Sequence, residues 1–254
     1  GADTVFVRGS VGNDDIDVTA TTISINGGLT TIDAASTGIE RIQIDSLDGN
    51  DDIDITGTPP GGATVFEVNA GDDNDDVNAS GQATPITVYA GFGNDIIVGS
   101  TGVDTIYGET GNDTITGGPG ADQIKGGDDF GTFNWVVGEG ADIVDGGSDG
   151  ADIANVNGSA AVDTFDVSPR GSQTHLNVIV NGVTIDYHGV EQFNLNPLGG
   201  ADTVTINDVS ASEVAQINVT VDAVLSTDAD QVIVQGRDLG DNIMISTSTA
   251  SRVD

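Results

Sequence analysis

Residues 90–125 read AGFGNDIIV, GSTGVDTIY, GETGNDTIT and GGPGADQIK, which are four consecutive blocks of nine residues with no gap between them. In every block the fourth residue is glycine and the sixth is aspartate. The eighth residue is isoleucine in every block: Ile97, Ile106, Ile115 and Ile124. Gly-Asn-Asp is also typical of ordinary hairpin turns, which would make the strands antiparallel. Hairpins do not require a constant phase of nine, so the run favours a repeat architecture.

The nine-residue phase predicts how the chain winds. The three residues around each isoleucine form a short strand whose middle side chain points inward, and the glycines allow tight turns between strands. Two blocks then complete one coil, so equivalent residues stack eighteen positions apart, with Asp95 over Asp113 and Asp104 over Asp122. We therefore expect an all-β fold, a parallel β-roll or β-helix solenoid with a thin core between two sheets.

Stacking of this kind places carboxylates in columns. Two like charges about 5 Å apart repel by roughly 3 kcal/mol at an effective dielectric constant near 20, so the columns need a counter-ion. Calcium fits because it takes about six to eight oxygen ligands in flexible geometry, whereas magnesium demands a small octahedral site. Zinc and copper prefer His or Cys ligands, and the chain has two histidines and no cysteine. We predict several Ca²⁺ ions.

The predicted ligands are the sixth-position aspartates and the glycines of the same turns, which would contribute mainly carbonyl oxygens. The aspartates of the central run are Asp95, Asp104, Asp113 and Asp122. The glycines are Gly91, Gly93, Gly99, Gly102, Gly108, Gly111, Gly117, Gly120 and Gly126. Looser copies of the block around the run add Asp51, Asp75, Asp128, Asp142 and Asp152 as candidates.

The blocks at 90–125 resemble the RTX (hemolysin-type) calcium-binding repeat, G-G-x-G-x-D-x-U-x, in which U is a large apolar residue. The resemblance covers residues 88–130 strongly and 140–166 weakly. It implies a right-handed parallel β-roll with calcium in the turns, bacterial secretion, and folding triggered by extracellular calcium. The first two positions depart from Gly-Gly at 90–91, 99–100 and 108–109, so we expect weakened binding there.

Irregularly spaced copies of the block also surround Asp14, Asp163 and Asp202. For Asp14, Asp51 and Asp202 the sequence leaves open a solvated turn aspartate in place of a calcium ligand. The irregular spacing means that the phase of nine does not by itself decide between the two.

Four segments are expected along the chain. Residues 1–87 form irregular solenoid coils, 88–130 the RTX-like calcium β-roll, 131–166 an insertion with degenerate repeats, and 167–254 further irregular coils. Within these, 19–46 and 167–196 carry alternating apolar patterns that indicate longer β-coils. The sequence leaves open whether they continue the same solenoid or form a small side sheet.

A longer period is also present. Residues 2–18 align with 229–245 without a gap, at an offset of 227 residues. This favours a tandem array, of which the chain would be a piece slightly longer than one unit, with 229–245 beginning the next copy. We therefore expect a longer parent protein, and other copies of the same module as possible partners.

The charge of the chain limits its partners. The formal net charge is −35, with 41 acidic and 6 basic residues, and 37% of the residues are hydrophobic. A nucleic-acid backbone and anionic membrane surfaces would be repelled, and no apolar run approaches the length of a transmembrane helix. The recurring Val and Ile argue against a disordered acidic chain.

No catalytic constellation stands out. His175 and His188 lie apart in sequence without a recognisable nucleophile, and Trp135 interrupts the repeat phase as a core or capping residue. We therefore predict a non-enzymatic, calcium-binding structural module of a secreted or cell-surface bacterial protein. Two alternatives remain: an accessory domain of a secreted protease, lipase or epimerase, and an adhesin module that binds carbohydrate, a partner or a surface matrix.

Overall fold

The computed structural model describes residues 3–19, 22–26, 28–31, 38–57, 62–170, 175–210, 212, 214–222, 230–235 and 242–248. Within these ranges the chain forms 24 β-strands, numbered along the sequence, which lie in two sheets of twelve strands each. We name them sheet A and sheet B.

The strands of each sheet are given in the order in which they neighbour one another. Sheet A contains β1 (Asp3–Arg8), β5 (Ile39–Asp45), β7 (Val65–Asp72), β9 (Ile86–Phe92), β11 (Thr105–Thr110), β13 (Gln123–Asp128), β15 (Ile143–Gly147), β19 (Val183–His188), β18 (His175–Val180), β17 (Thr164–Arg170), β21 (Thr203–Ile206) and β23 (Gln231–Val234). Sheet B contains β24 (Ile243–Ser248), β22 (Gln216–Asp222), β20 (Gln192–Leu198), β16 (Ile153–Asn157), β14 (Thr132–Val136), β12 (Thr114–Thr116), β10 (Ile96–Val98), β8 (Asp76–Gly81), β6 (Asp52–Thr56), β2 (Asp15–Val18), β3 (Thr22–Ile25) and β4 (Gly28–Thr31).

The chain winds as a solenoid because it alternates between the two sheets. From β5 to β16 each strand of sheet A is followed by one of sheet B, and strands of successive coils pair in parallel. In the central run the pairing joins residues eighteen apart, with Ile97 opposite Ile115 and Ile106 opposite Ile124. The all-β solenoid predicted from the phase of nine is confirmed, and the antiparallel hairpin alternative is wrong for this run.

The core is a thin layer between the sheets. Alternate residues of each strand point inward, as the two-residue period of a strand requires, and the four repeat isoleucines are buried. Trp135 on β14 also lies in this core, where its indole Nε1 donates a hydrogen bond to the Gly140 carbonyl over 3.0 Å. Each buried apolar side chain stabilises the fold by about 1.5–3 kcal/mol.

Two antiparallel meanders interrupt the winding. The strands β2, β3 and β4 pair antiparallel at one end of sheet B, and β17, β18 and β19 do so inside sheet A. Asn26 and Asn181 take left-handed φ values of 52° and 50° at the turns, a conformation that asparagine tolerates. The described strands β3 and β4 of the segment 19–46, and β18 and β19 of 167–196, thus form hairpins that join the sheets of the solenoid itself. Strands β5 and β20, which also lie in these segments, pair in parallel.

The last two described strands, β23 and β24, are consistent with the 227-residue period. Strands β23 and β24 stand at the offset of 227 residues from β1 and β2, and they pair in parallel with the preceding coil. Residues 229 and 236–241 of the predicted second copy lie outside the described residues. Strands from all four predicted segments share the two sheets, so the segment boundaries stay a prediction.

No helix in the described part of the chain is long and apolar enough to cross a membrane.

Candidate calcium-binding turns

The sixth-position aspartates lie in turns along the two long edges of the solenoid. Turns that lead from sheet A to sheet B hold Asp14, Asp51, Asp75, Asp95, Asp113 and Asp152. Turns that lead from sheet B to sheet A hold Asp104, Asp122, Asp142, Asp163 and Asp202. We call these the A-to-B and B-to-A edges. All eleven side chains are at most 3% exposed, so the solvated-turn alternative does not describe Asp14, Asp51 or Asp202.

In most of these turns one carboxylate oxygen of the aspartate ties neighbouring coils together. Along the A-to-B edge the backbone N–H of Asp51 donates to Oδ1 of Asp75, that of Asp75 to Asp95, and that of Asp95 to Asp113, over 2.8–2.9 Å. The B-to-A edge repeats the pattern from Asp104 to Asp122 over 2.8 Å. The predicted stacking eighteen apart is therefore realised as a ladder of charge-assisted hydrogen bonds.

The second carboxylate oxygen is left without a partner in five of these turns. The Oδ2 atoms are buried and accept no hydrogen bond from any residue that the structure describes in Asp51, Asp75, Asp95, Asp113 and Asp122. An ionised carboxylate oxygen buried in this way is costly unless it is protonated or meets a cation. Four of the five stand in successive coils of the A-to-B edge, which makes a row of equivalent candidate ligands for a cation.

Burial raises the pKa of the aspartates in this row. It raises the pKa of Asp95 to about 6 and that of Asp75 and Asp113 to about 7, and neighbouring carboxylates add to the increase at Asp75 and Asp113. Burial raises the pKa of Asp122 on the other edge to about 7 as well. Burial therefore favours the neutral form of these side chains, and a positive charge in the turns would favour the ionised form.

Glycine opens the space that these oxygens border. A Cβ on Gly108 would stand 2.5 Å from Oδ2 of Asp113 and 2.5 Å from the carbonyl oxygen of Gly126 in the next coil. At Gly111, which has a φ of 131°, a Cβ would stand 1.5 Å from the carbonyl oxygen of Gly93. The turns therefore require glycine both for conformation and for the close approach of one coil to the next.

The donor set suits calcium. Carboxylate and carbonyl oxygens converge at the turns, and hard cations with many oxygen ligands prefer this chemistry. Among the described residues no group of three His, Cys, Asp or Glu side chains is arranged to hold a metal ion. An ion in these turns would consequently take one carboxylate from a turn and most of its other ligands from backbone carbonyls.

The turn of Asp104 differs from the others of the central run. Its Oδ1 accepts the N–H of Ile86 over 2.8 Å and the hydroxyl of Ser100 over 2.7 Å, and its Oδ2 accepts the N–H of Ser100 over 2.6 Å. Burial raises the pKa of Asp104, and these hydrogen bonds oppose the increase. The sequence predicted four equivalent ligands, but the structure provides donors within the chain to one of them.

Of the remaining predicted calcium ligands, two are buried in turns and one is exposed. Asp142 and Asp152 are buried and accept the backbone N–H of the preceding coil through Oδ1, over 2.9 Å from Asp122 and 2.6 Å from Gly131. Asp128 is exposed at the end of β13. The residue at the sixth position of its block is Gly131, so Asp128 does not join the row, and the row lacks a carboxylate at that coil.

Sequence spacing did not predict that the two histidines meet. Antiparallel pairing of β18 and β19 places His175 opposite His188, with ring centroids 4.6 Å apart. His188 lies 2.9 Å from Asp145, while Asp186 forms an ion pair with Arg170 and lies 3.5 Å from Nδ1 of His175. The group is half-exposed on the outer face of sheet A, where it ties the meander to the neighbouring strand β15.

The fold and the turns together define a two-sheet parallel β-solenoid with stacked, buried aspartates at its edges. The family model of the RTX calcium-binding nonapeptide repeat, with four copies, matches residues 89–124 and 98–133. The chain therefore carries RTX calcium-binding repeats, as the blocks at 90–125 predicted, and the flanking coils lie outside this match. Comparison with curated proteins and with solved structures gives no match for the chain.

Proposed function

We propose that this chain is a structural module of a secreted or cell-surface bacterial protein, and that it folds and stiffens when its edge turns bind extracellular Ca²⁺. The observation that carries the proposal is the row of buried Oδ2 atoms without a hydrogen-bond partner in the described residues. The matched RTX repeats supply the identity of the ion.

The mechanism is coupled binding and folding. The turns exist as oxygen-lined sites only when successive coils are stacked, so calcium binds the folded chain and hardly binds the unfolded one. A site at one hundred times its dissociation constant then adds roughly 2.7 kcal/mol. A few such sites equal the whole stability of a typical domain, about 5–15 kcal/mol. At low calcium the chain would be loose enough for export, and at millimolar calcium it would be rigid.

The longer period supports the structural part of the proposal. Because β23 and β24 extend both sheets in parallel, a further copy of the unit could continue the same winding. A tandem array would then form one extended rod whose rigidity is set by calcium. The action of the module is mechanical in this proposal, and any catalysis would belong to other parts of a parent protein.

Far-UV circular dichroism with a thermal melt tests the proposal, first in EDTA, then across a calcium titration, with magnesium as the control. We expect only part of the β-structure and a low melting temperature in EDTA, and the full β-rich spectrum with a cooperative melt near millimolar calcium but not magnesium. A melt that is identical under all three conditions would overturn the proposal, because the aspartates would then act only through hydrogen bonds.

A further inference from the structure

The sequence Gly-Ser-x-x-x-Asp occurs in four aspartate turns, at 9–14, 99–104, 147–152 and 158–163. The turn of Asp152 is one residue longer than the others, because it is Gly146 that lies beside its Oδ2. In the other three turns the serine N–H donates to Oδ2 of the aspartate four residues later, over 2.5, 2.6 and 2.5 Å respectively. The serine hydroxyl donates to the same carboxylate. Hydrogen bonds to an ionised group are shorter and stronger than neutral ones. The serine N–H and hydroxyl of the turn itself therefore stabilise the ionised carboxylate.

The five turns with an unpartnered Oδ2 differ at the residue in the serine's place. That second residue has a left-handed φ in every one of them: Leu47 (83°), Gly71 (117°), Gly91 (110°), Glu109 (72°) and Gly118 (88°). Ser10, Ser100 and Ser159 do not take a left-handed φ. Backbone conformation at the second position and the state of the carboxylate thus change together in these eight of the eleven turns. The turn of Asp142 departs from this, because Gly138 has a φ of 110° without such an Oδ2 atom in Asp142. We call the first kind serine-closed turns and the second kind open turns.

The two kinds of turn differ in what can stabilise the buried carboxylate. In a serine-closed turn the N–H occupies the Oδ2 atom that would face a cation, so an ion would have to break a charge-assisted hydrogen bond to bind. In an open turn the same atom is buried with no donor from the described residues, and ligation by a cation costs no hydrogen bond. The preference of calcium for one kind follows from this difference.

We infer that serine at the second turn position replaces calcium, and that the metal row runs along the A-to-B edge through Asp51, Asp75, Asp95 and Asp113. Two of these turns lie on the N-terminal side of the matched RTX repeats, which begin at residue 89. The turns of Asp14, Asp104 and Asp163 hold no ion. The inference rests on the proposed calcium function and assigns which turns perform it.

Calcium stoichiometry of matched variants tests the assignment. Bound calcium would be counted by equilibrium dialysis with elemental analysis, on samples whose fold is checked by circular dichroism. We expect Asp75→Asn to lose at least one ion per chain, although residue 75 lies outside the matched repeats. Asp104→Asn should bind as many ions as the unmodified chain, although residue 104 lies inside them. Loss of an ion from Asp104→Asn, or none from Asp75→Asn, would overturn the inference.

A second pair of variants changes the turn without touching an aspartate. Glu109 already carries a Cβ in the left-handed conformation, so Glu109→Ser removes strain as the turn closes, whereas Glu109→Gly accepts the open conformation freely. We expect Glu109→Ser to bind one ion fewer than Glu109→Gly, and equal stoichiometry contradicts the inference. An unmodified chain that binds no calcium would instead refute the proposed function itself, so the two failures are distinguishable.

Discussion

The central coils and the hairpin-bearing coils neutralise the same buried aspartate in different ways. In the centre, Asp95 and Asp113 keep one carboxylate oxygen without a donor from the described residues. At the meanders, Asn26 donates through Nδ2 to Oδ1 of Asp14, and Asn181 donates to Asp163 in the same way, both over 2.5 Å. With the serine bonds, these two carboxylates have donors on both oxygens. If the proposed calcium function holds, one coil geometry supports both a metal-dependent and a metal-independent version.

The largest expected effect is a regional response to calcium removal. We expect EDTA to accelerate amide hydrogen exchange in β8–β12 by at least about a hundredfold, the factor that corresponds to one site of roughly 2.7 kcal/mol. Strands β17–β20, next to the turn of Asp163, should change by less than about tenfold, because contacts in a solenoid are mostly between neighbouring coils. Hydrogen-exchange mass spectrometry with and without calcium measures both, and a uniform acceleration would contradict the comparison.

A core truncation in each region sharpens the contrast. Ile115 in the centre and Ile185 in the meander are both fully buried, so Ile115→Ala and Ile185→Ala should each cost about 2–5 kcal/mol in calcium. Because binding is coupled to folding in the centre, Ile115→Ala should also raise the calcium concentration at the folding midpoint. Calcium titrations followed by circular dichroism distinguish the two. An equal rise for Ile185→Ala would mean that the meander depends on the same ions.

Much of the central region is predictable because its repeat leaves little freedom. The phase of nine predicts inward isoleucines and aspartates stacked eighteen apart. The burial of Ile97 and Ile115 and the hydrogen bond from the N–H of Asp95 to Asp113 confirm both. The turns are less predictable, since the partner of a carboxylate depends on the conformation of another residue. The difference between Asp104 and Asp113 follows from the φ at Ser100 and Glu109. The Gly-Ser-x-x-x-Asp sequence is only a partial signal for it, because it also occurs at 147–152, where the Asp152 carboxylate accepts the N–H of Gly131 instead.

The meanders show a second limit to what the sequence predicts. Their alternating patterns predict strands but not which strand they pair with, because a hairpin and a solenoid coil have the same two-residue period. Asn181-Gly182 is a hairpin signal, and the structure places a two-residue turn there between Val180 and Val183. The sequence does not show that the Asn181 side chain returns to Asp163, eighteen residues earlier. That contact exists only after the meander has packed.

The pH dependence of the centre should reverse when calcium is added. Burial raises the pKa of Asp75 and Asp113 to about 7 in the folded, metal-free chain, so that state binds more protons than the unfolded one between about pH 4 and 7. Metal-free stability is then highest near pH 4 and is lost as the pH rises through 7. Calcium requires the ionised form, so its affinity should fall as the pH falls below 7. Melting temperatures from pH 4 to 8, in EDTA and in calcium, measure both, and parallel profiles would contradict the prediction.

The smallest expected effect tests whether the Asn181 amide, and not an ion, stabilises the carboxylate of Asp163. Asn181→Gly keeps the left-handed turn but removes the donor to Oδ1 of Asp163 and the acceptor for the N–H of Thr164, so it should cost about 1–3 kcal/mol. The loss should be the same in EDTA and in calcium. Asn94→Gly is the matched control, since Asn94 accepts only the N–H of Asn112 from the next coil among the described contacts. Chemical denaturation of both variants provides the measurement. If calcium restored the stability of Asn181→Gly, an ion would have entered the turn of Asp163, and the amide and the metal would be interchangeable there.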